Sequence, residues 1–159
     1  MMIHAAPTRS APMAARKPES HPVHLTSTLA AQNAAWTFDD LPVDARVLVR
    51  QCLLDWVAVA LSGAREPLIH MLAEEAREQG GFPQATVVGH GFATSCRQAA
   101  LINGAASHAL DYDDVNMSFT GHPTVVLVPA LLALAEARGA SGADFMTAFV
   151  AGYETLCRI

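Results

Sequence analysis

The chain has 159 residues, 52% of them apolar and 16% charged, and its 15 acidic against 10 basic side chains give a net charge of −5. That length and apolar content suit one domain with a sizeable core, and the negative balance excludes nucleic-acid binding by bulk electrostatics. Three widely spaced cysteines, Cys52, Cys96 and Cys157, make neither a disulfide frame nor a zinc pattern and predict free thiols in a reducing, cytoplasmic setting.

Residues 1–24 are rich in Ala, Pro, His and Ser and hold the only lysine, Lys17. They predict a disordered tail, with a helical domain over 25–159. A first helix is expected from Ser27 to Trp36, with Thr26 as its cap. Asp39 and Asp40 lead into Pro42, which suits the first turn of a second helix that runs to about Ser62 and closes at Gly63. Its second half, Cys52 to Leu61, is apolar almost all round and predicts burial on most faces. A third helix is expected from Pro67 to the Gly80-Gly81 pair, with Glu74, Glu75, Arg77 and Glu78 on its solvated side. Ala85 to Gly89 is the one strand-like run.

Helix signals resume from Ser95 to about Leu110, and Gly104 in the middle predicts close approach of a neighbouring helix or a substrate. Pro123 to Arg138 reads as a core helix ended by Gly139 and kinked, or short of one hydrogen bond, at Pro129. Its apolar run, Val125 to Ala135, is too short to span a membrane. Ser141 and Asp144 form a capping-box start for a last helix, whose Phe145, Phe149, Tyr153 and Leu156 make a buried stripe. That helix carries no stop signal, so a truncated chain is expected. The fold class is therefore all-α.

Between the fourth and fifth expected helices, His108 to Pro123 packs two histidines and three carboxylates into sixteen residues. Such a cluster beside a core can serve as acid and base. The residues alone leave open an acidic surface loop with a cap at each end. A calcium loop is disfavoured, because Asn116 and His122 stand where glycine and a bidentate glutamate are needed. A transition-metal site on His108, Asp111 and His122 is chemically allowed.

Asn103-Gly104-Ala-Ala-Ser-His108-Ala-Leu-Asp111-Tyr-Asp113-Asp114, followed by Gly121-His122-Pro123, resembles the MmgE/PrpD family. Leu53 to Gly63, Ala85 to Gly89, Ala99 to Gly104, Ala133 to Glu136 and Ala148 to Glu154 extend the resemblance in order, from about Leu41 to the last residue. The family includes 2-methylcitrate dehydratases and cis-aconitate decarboxylases. The resemblance implies the N-terminal portion of a helical domain whose later part, with a smaller lid domain, is absent here. It implies a cofactor-independent lyase acting on small tricarboxylates, with no required metal, no nucleic-acid or membrane partner, and a homodimer in full-length relatives. A 2-methylcitrate dehydratase-like reaction is the first expectation. A cis-aconitate decarboxylase-like reaction, or a non-catalytic helical module that needs a separate partner chain, is the alternative.

By the same motif match, Asp111 and His122 fall on the family's active-site positions and are the expected catalytic pair; His108, which can also simply cap or pack, Asp113, Asp114 and Asn103 are the expected substrate-binding or supporting residues. Asp113, Asp114 and Asn116 are expected to fix the loop by bonding backbone N–H groups, and Tyr112 to be a packed aromatic. Val115 stands where some family members have threonine, and no lysine follows Lys17, although family sites draw lysine, histidine and tyrosine from later in the chain. The chain alone is therefore expected to be inactive.

Overall fold

The computed structural model describes residues 24–118 and 120–159; the expected disordered tail, 1–24, falls outside them save for His24. Six α-helices and one short hairpin make up the described residues: α1 (Leu25–Ala35), α2 (Val43–Gly63), α3 (Pro67–Gln79), β1 (Ala85–Val87), β2 (Phe92–Thr94), α4 (Cys96–His108), α5 (Pro123–Arg138) and α6 (Gly142–Leu156). The domain is mainly helical, as its proline starts and glycine stops predict.

Several boundaries follow directly from local chemistry. Ser95 caps α4 by accepting from the Gln98 N–H, and Ser141 and Asp144 close a reciprocal capping box on α6. Gly139 ends α5 in the left-handed conformation, φ 61°, that glycine adopts without strain. The first helix differs from expectation. His24, not Thr26, is its N-cap, and the Ser27 and Thr28 hydroxyls both donate to the His24 carbonyl. A 3-10 turn at Phe38–Asp40 then precedes α2, closed by a second capping box between Thr37 and Asp40. Arg46 ties that turn to α2, donating to the Leu41 and Phe38 carbonyls and lying 4.2 Å over the Phe38 ring.

The strand-like run pairs with a second strand that carries no strong sequence signal. β1 and β2 are antiparallel, with Ala85 opposite Thr94 and Val87 opposite Phe92. The hairpin is pinned on three sides. Arg77 of α3 covers the Phe92 ring at 4.2 Å, Glu136 of α5 accepts from the Thr86 N–H, and Asn103 of α4 bonds β1.

Two apolar cores result. One joins Ile69 and Ala76 of α3 to Ala85 and Val87 of β1 and to Ala99, Ile102 and Ala106 of α4. The other joins Val49, Trp56 and Ala60 of α2 to Val128 of α5 and Phe149 of α6. α5 runs unbroken through Pro129, and a Cβ at Gly104 would meet that proline only at ordinary contact distance, 3.6 Å. The close approach lies at Gly63 instead, where a Cβ would fall 2.0 Å from the Ala106 carbonyl oxygen. Gly63 thus does not end α2 by its conformation; it lets α2 cross the α4 backbone, and Ala64 is the C-cap.

α2 also corrects the expectation of burial on most faces. Val49, Trp56, Val59 and Ala60 are buried, but Leu54 is 72% exposed, and Val43, Val47 and Leu61 are exposed with it. Among the described residues, no single helix is long and apolar enough to cross a membrane. The three cysteines are free, each half-buried.

Candidate active site

The segment from α4 to α5 doubles back on itself. His108 is the last residue of α4 and His122 the N-cap of α5. Between them, Asn116 and Gly121 form an isolated antiparallel bridge, the Asn116 N–H donating to the Gly121 carbonyl at 2.9 Å. The bridge pinches off the tip of the loop and returns the chain to its start. The two imidazoles, fourteen positions apart in sequence, are therefore neighbours, with ring centroids 4.8 Å apart and planes tilted by 60°.

The carboxylates sort by environment. The Asp113 side chain is 2% exposed and sits behind both rings, with Oδ1 2.9 Å from His108 Nδ1 and Oδ2 3.4 Å from His122 Nδ1. The Asp111 side chain is 79% exposed and lies in front, with Oδ1 3.7 Å from His122 Nε2 and 3.9 Å from His108 Nε2. Asp111 has φ 52°, a left-handed conformation that aspartate tolerates better than most residues. Its N–H donates to the His108 carbonyl, so a tight turn at the end of α4 aims the carboxylate back at the rings. At 3.7 Å, Asp111 and His122 are beyond direct hydrogen-bond range, which leaves both free to meet a third group.

Asp114 points elsewhere. Its two oxygens accept from the N–H and the hydroxyl of Thr124, in the first turn of α5. A carboxylate there complements the helix dipole and fixes the helix start beside His122. Asn116 closes the loop internally, accepting from the Ser118 N–H and donating from Nδ2 to the Tyr153 hydroxyl at 2.7 Å. Backbone anchoring by Asp114 and Asn116 was legible from the sequence; the turning of Asp113 onto two imidazoles was not. Asn103, 1% exposed, is not part of the cluster. Its Oδ1 accepts from the Val88 N–H and its Nδ2 donates to the Thr86 carbonyl, so both ends of the amide hold β1. Tyr112 is not packed, being 55% exposed.

A second group of polar side chains lies beneath, and the sequence did not single it out. Burial pushes the Tyr153 phenol up, against the opposing hydrogen bond from Asn116. Burial, reinforced by the Asp114 charge, likewise pushes up the Cys52 thiol, against a hydrogen bond with Thr124. Both groups stay neutral at physiological pH and serve as the uncharged floor under the loop.

One ligand atom from each of His108, Asp111, Asp113 and His122 lies within 4.8 Å of the others, a spacing that a divalent cation could bridge. Among the described residues no arginine or lysine forms an ion pair with these carboxylates. The arrangement offers two imidazoles and one exposed carboxylate around a common point, with a buried carboxylate behind. Imidazole and carboxylate side chains grouped in this way can take and return a proton.

Comparison with known proteins supplies the context. The MmgE/PrpD N-terminal domain matches residues 27–159. A cis-aconitate decarboxylase-like protein of Aspergillus oryzae is 31% identical over 127 residues, covering 76% of this chain and 26% of that protein. Cis-aconitate decarboxylase of Mus musculus is 30% identical over 115 residues, 69% of this chain and 23% of its own length. The Aspergillus terreus enzyme of the same name is 28% identical over 126 residues, 76% of this chain and 26% of its length. The chain thus spans about a quarter of the length of these curated relatives.

Proposed function

The chain belongs to the MmgE/PrpD family, and on that premise we propose that it forms the acid–base part of a cytoplasmic lyase acting on small tricarboxylates. The observation that supports this best is the convergence of His122 Nε2 and Asp111 Oδ1 to 3.7 Å on an open face of the molecule, inside the matched domain. A tricarboxylate resting there meets a proton carrier and a carboxylate base.

The relatives' names favour decarboxylation of cis-aconitate. The C–C bond to one carboxylate breaks, CO2 leaves, and the electron pair stays on carbon, delocalised toward the neighbouring carboxylate. His122, as imidazolium, then gives its Nε2 proton to that carbon. The second reading, dehydration of 2-methylcitrate, uses the same two groups differently. Asp111 removes a proton next to a carboxylate, and His122 protonates the departing hydroxide so that water leaves. In both readings a polyanion must be held by cations, and no lysine or arginine pairs with the cluster's carboxylates among the described residues. On this reading the chain by itself turns over neither acid appreciably, and a homodimer is the assembly expected of full-length relatives.

The test joins residues 27–159 to the remainder of the mouse relative and follows products from cis-aconitate and from 2-methylcitrate. Release of CO2 from cis-aconitate supports the first reading, and loss of water from 2-methylcitrate the second. A folded fusion that acts on neither would contradict both.

A further inference from the structure

A buried carboxylate that pairs with no lysine or arginine among the described residues needs donors of another kind. The Asp113 side chain is 2% exposed; its Oδ1 is hydrogen-bonded to His108 Nδ1 at 2.9 Å, whereas its Oδ2 faces His122 Nδ1 at 3.4 Å, too far apart for a well-formed hydrogen bond and with neither atom bonded to another partner among the described residues. A neutral imidazole carries its proton on one nitrogen only. Were that nitrogen Nε2, a lone pair on Nδ1 would face a carboxylate oxygen inside the protein, and both would be left without a donor. Neutral histidine in water has no such constraint. Resting on the acid–base reading of this site, we infer that Asp113 is a positioning residue that holds both rings, His108 as well as His122, in the Nδ1–H form, so that the site presents two Nε2 atoms side by side.

The consequence is a twin proton carrier. Each Nε2 points away from Asp113 and toward Asp111, at 3.9 Å from His108 and 3.7 Å from His122. With Nδ1 protonated on both rings, either Nε2 can accept a proton and either imidazolium can return it. His108 therefore handles protons alongside His122 in place of merely ending α4.

Histidine side-chain nitrogen NMR tests this on the chain without substrate, so a failure to turn over cis-aconitate or 2-methylcitrate leaves its outcome independent. Spectra are recorded at rising pH until the ring nitrogen signals stop moving, and assigned with His108→Gln and His122→Gln. The expected result is a protonated Nδ1 and an unprotonated Nε2 on both rings. In Asp113→Asn one amide oxygen replaces two carboxylate oxygens, so at least one ring should switch to the Nε2–H form. A wild-type ring already in the Nε2–H form overturns the inference, as does a folded Asp113→Asn protein in which both rings stay Nδ1–H. Should Asp113→Asn not fold, the wild-type spectrum alone decides.

Discussion

At the scale of single residues, three neighbouring aspartates have three different surroundings. Asp111 is exposed in front of the imidazoles, Asp113 is buried behind them, and Asp114 holds the start of α5. Asp114→Asn keeps one acceptor but sets an amide N–H2 against Thr124, which is 2% exposed. The expected loss is about 1–3 kcal/mol of folding stability, the usual result of leaving a buried polar group unmatched, measured by urea unfolding. A loss below a few tenths would show that the Thr124 contacts hold nothing. His90 gives a pH signature. Burial pulls its imidazole down, partly opposed by its bond to the Ala64 carbonyl, while the charges of His70 and Arg77 pull it further down. The folded chain therefore binds this proton less readily than the unfolded chain. Its contribution to stability is complete above the ordinary histidine range and is lost as pH falls through that range toward the lower folded value. The melting-temperature difference between wild type and His90→Gln should shrink on acidification, and a constant difference from pH 8 to 5 would refute the assignment. These environments were only partly legible. The motif marked the aspartates as a group, but which carboxylate turned inward depended on the Asn116–Gly121 bridge, a backbone contact with no side-chain pattern to announce it.

At the scale of elements, starts and stops were the readable part, because caps act within four residues of sequence. The Ser141–Asp144 box, the Ser95 cap and the Gly139 stop all stand where the sequence puts them. β2 was missed because Phe92–Thr94 is a strand by virtue of its partner and of Arg77 above it, neither of which is local. The glycines show the same limit. Composition drew attention to Gly104, whereas the helix crossing depends on Gly63 against Ala106. Gly63→Ala should destabilise by about 1–3 kcal/mol or more, since backbone must move. Gly104→Ala should stabilise by roughly 0.5–1 kcal/mol, since its Cβ meets Pro129 at normal contact within a helix. Thermal or urea unfolding of the two variants decides, and equal effects would contradict the crossing geometry.

At the scale of the whole molecule, apolar surface is left uncovered, and chiefly along α2. Val43, Val47, Leu54, Val57 and Leu61 recur at helical spacing on one side of it, whereas Phe149 on α6 is buried. A segment that is apolar almost all round predicts burial on most faces, but periodicity cannot distinguish a core helix from one with a second apolar face left uncovered. Leu54→Glu with Leu61→Glu should lower binding of an apolar dye while changing stability by no more than about 0.5 kcal/mol per substitution. A large loss of stability would place those side chains in a core. The same molecular view frames the central claim, that the two ends of one loop form an acid–base site. The most direct measurement is turnover and melting temperature of His122→Ala in residues 27–159 fused to the remainder of the mouse relative. The account predicts that turnover falls by about 10²–10⁴-fold while the melting temperature stays within a few degrees of the parent fusion. Unchanged turnover, or turnover and melting temperature that collapse together, would make His122 a structural residue and contradict the account.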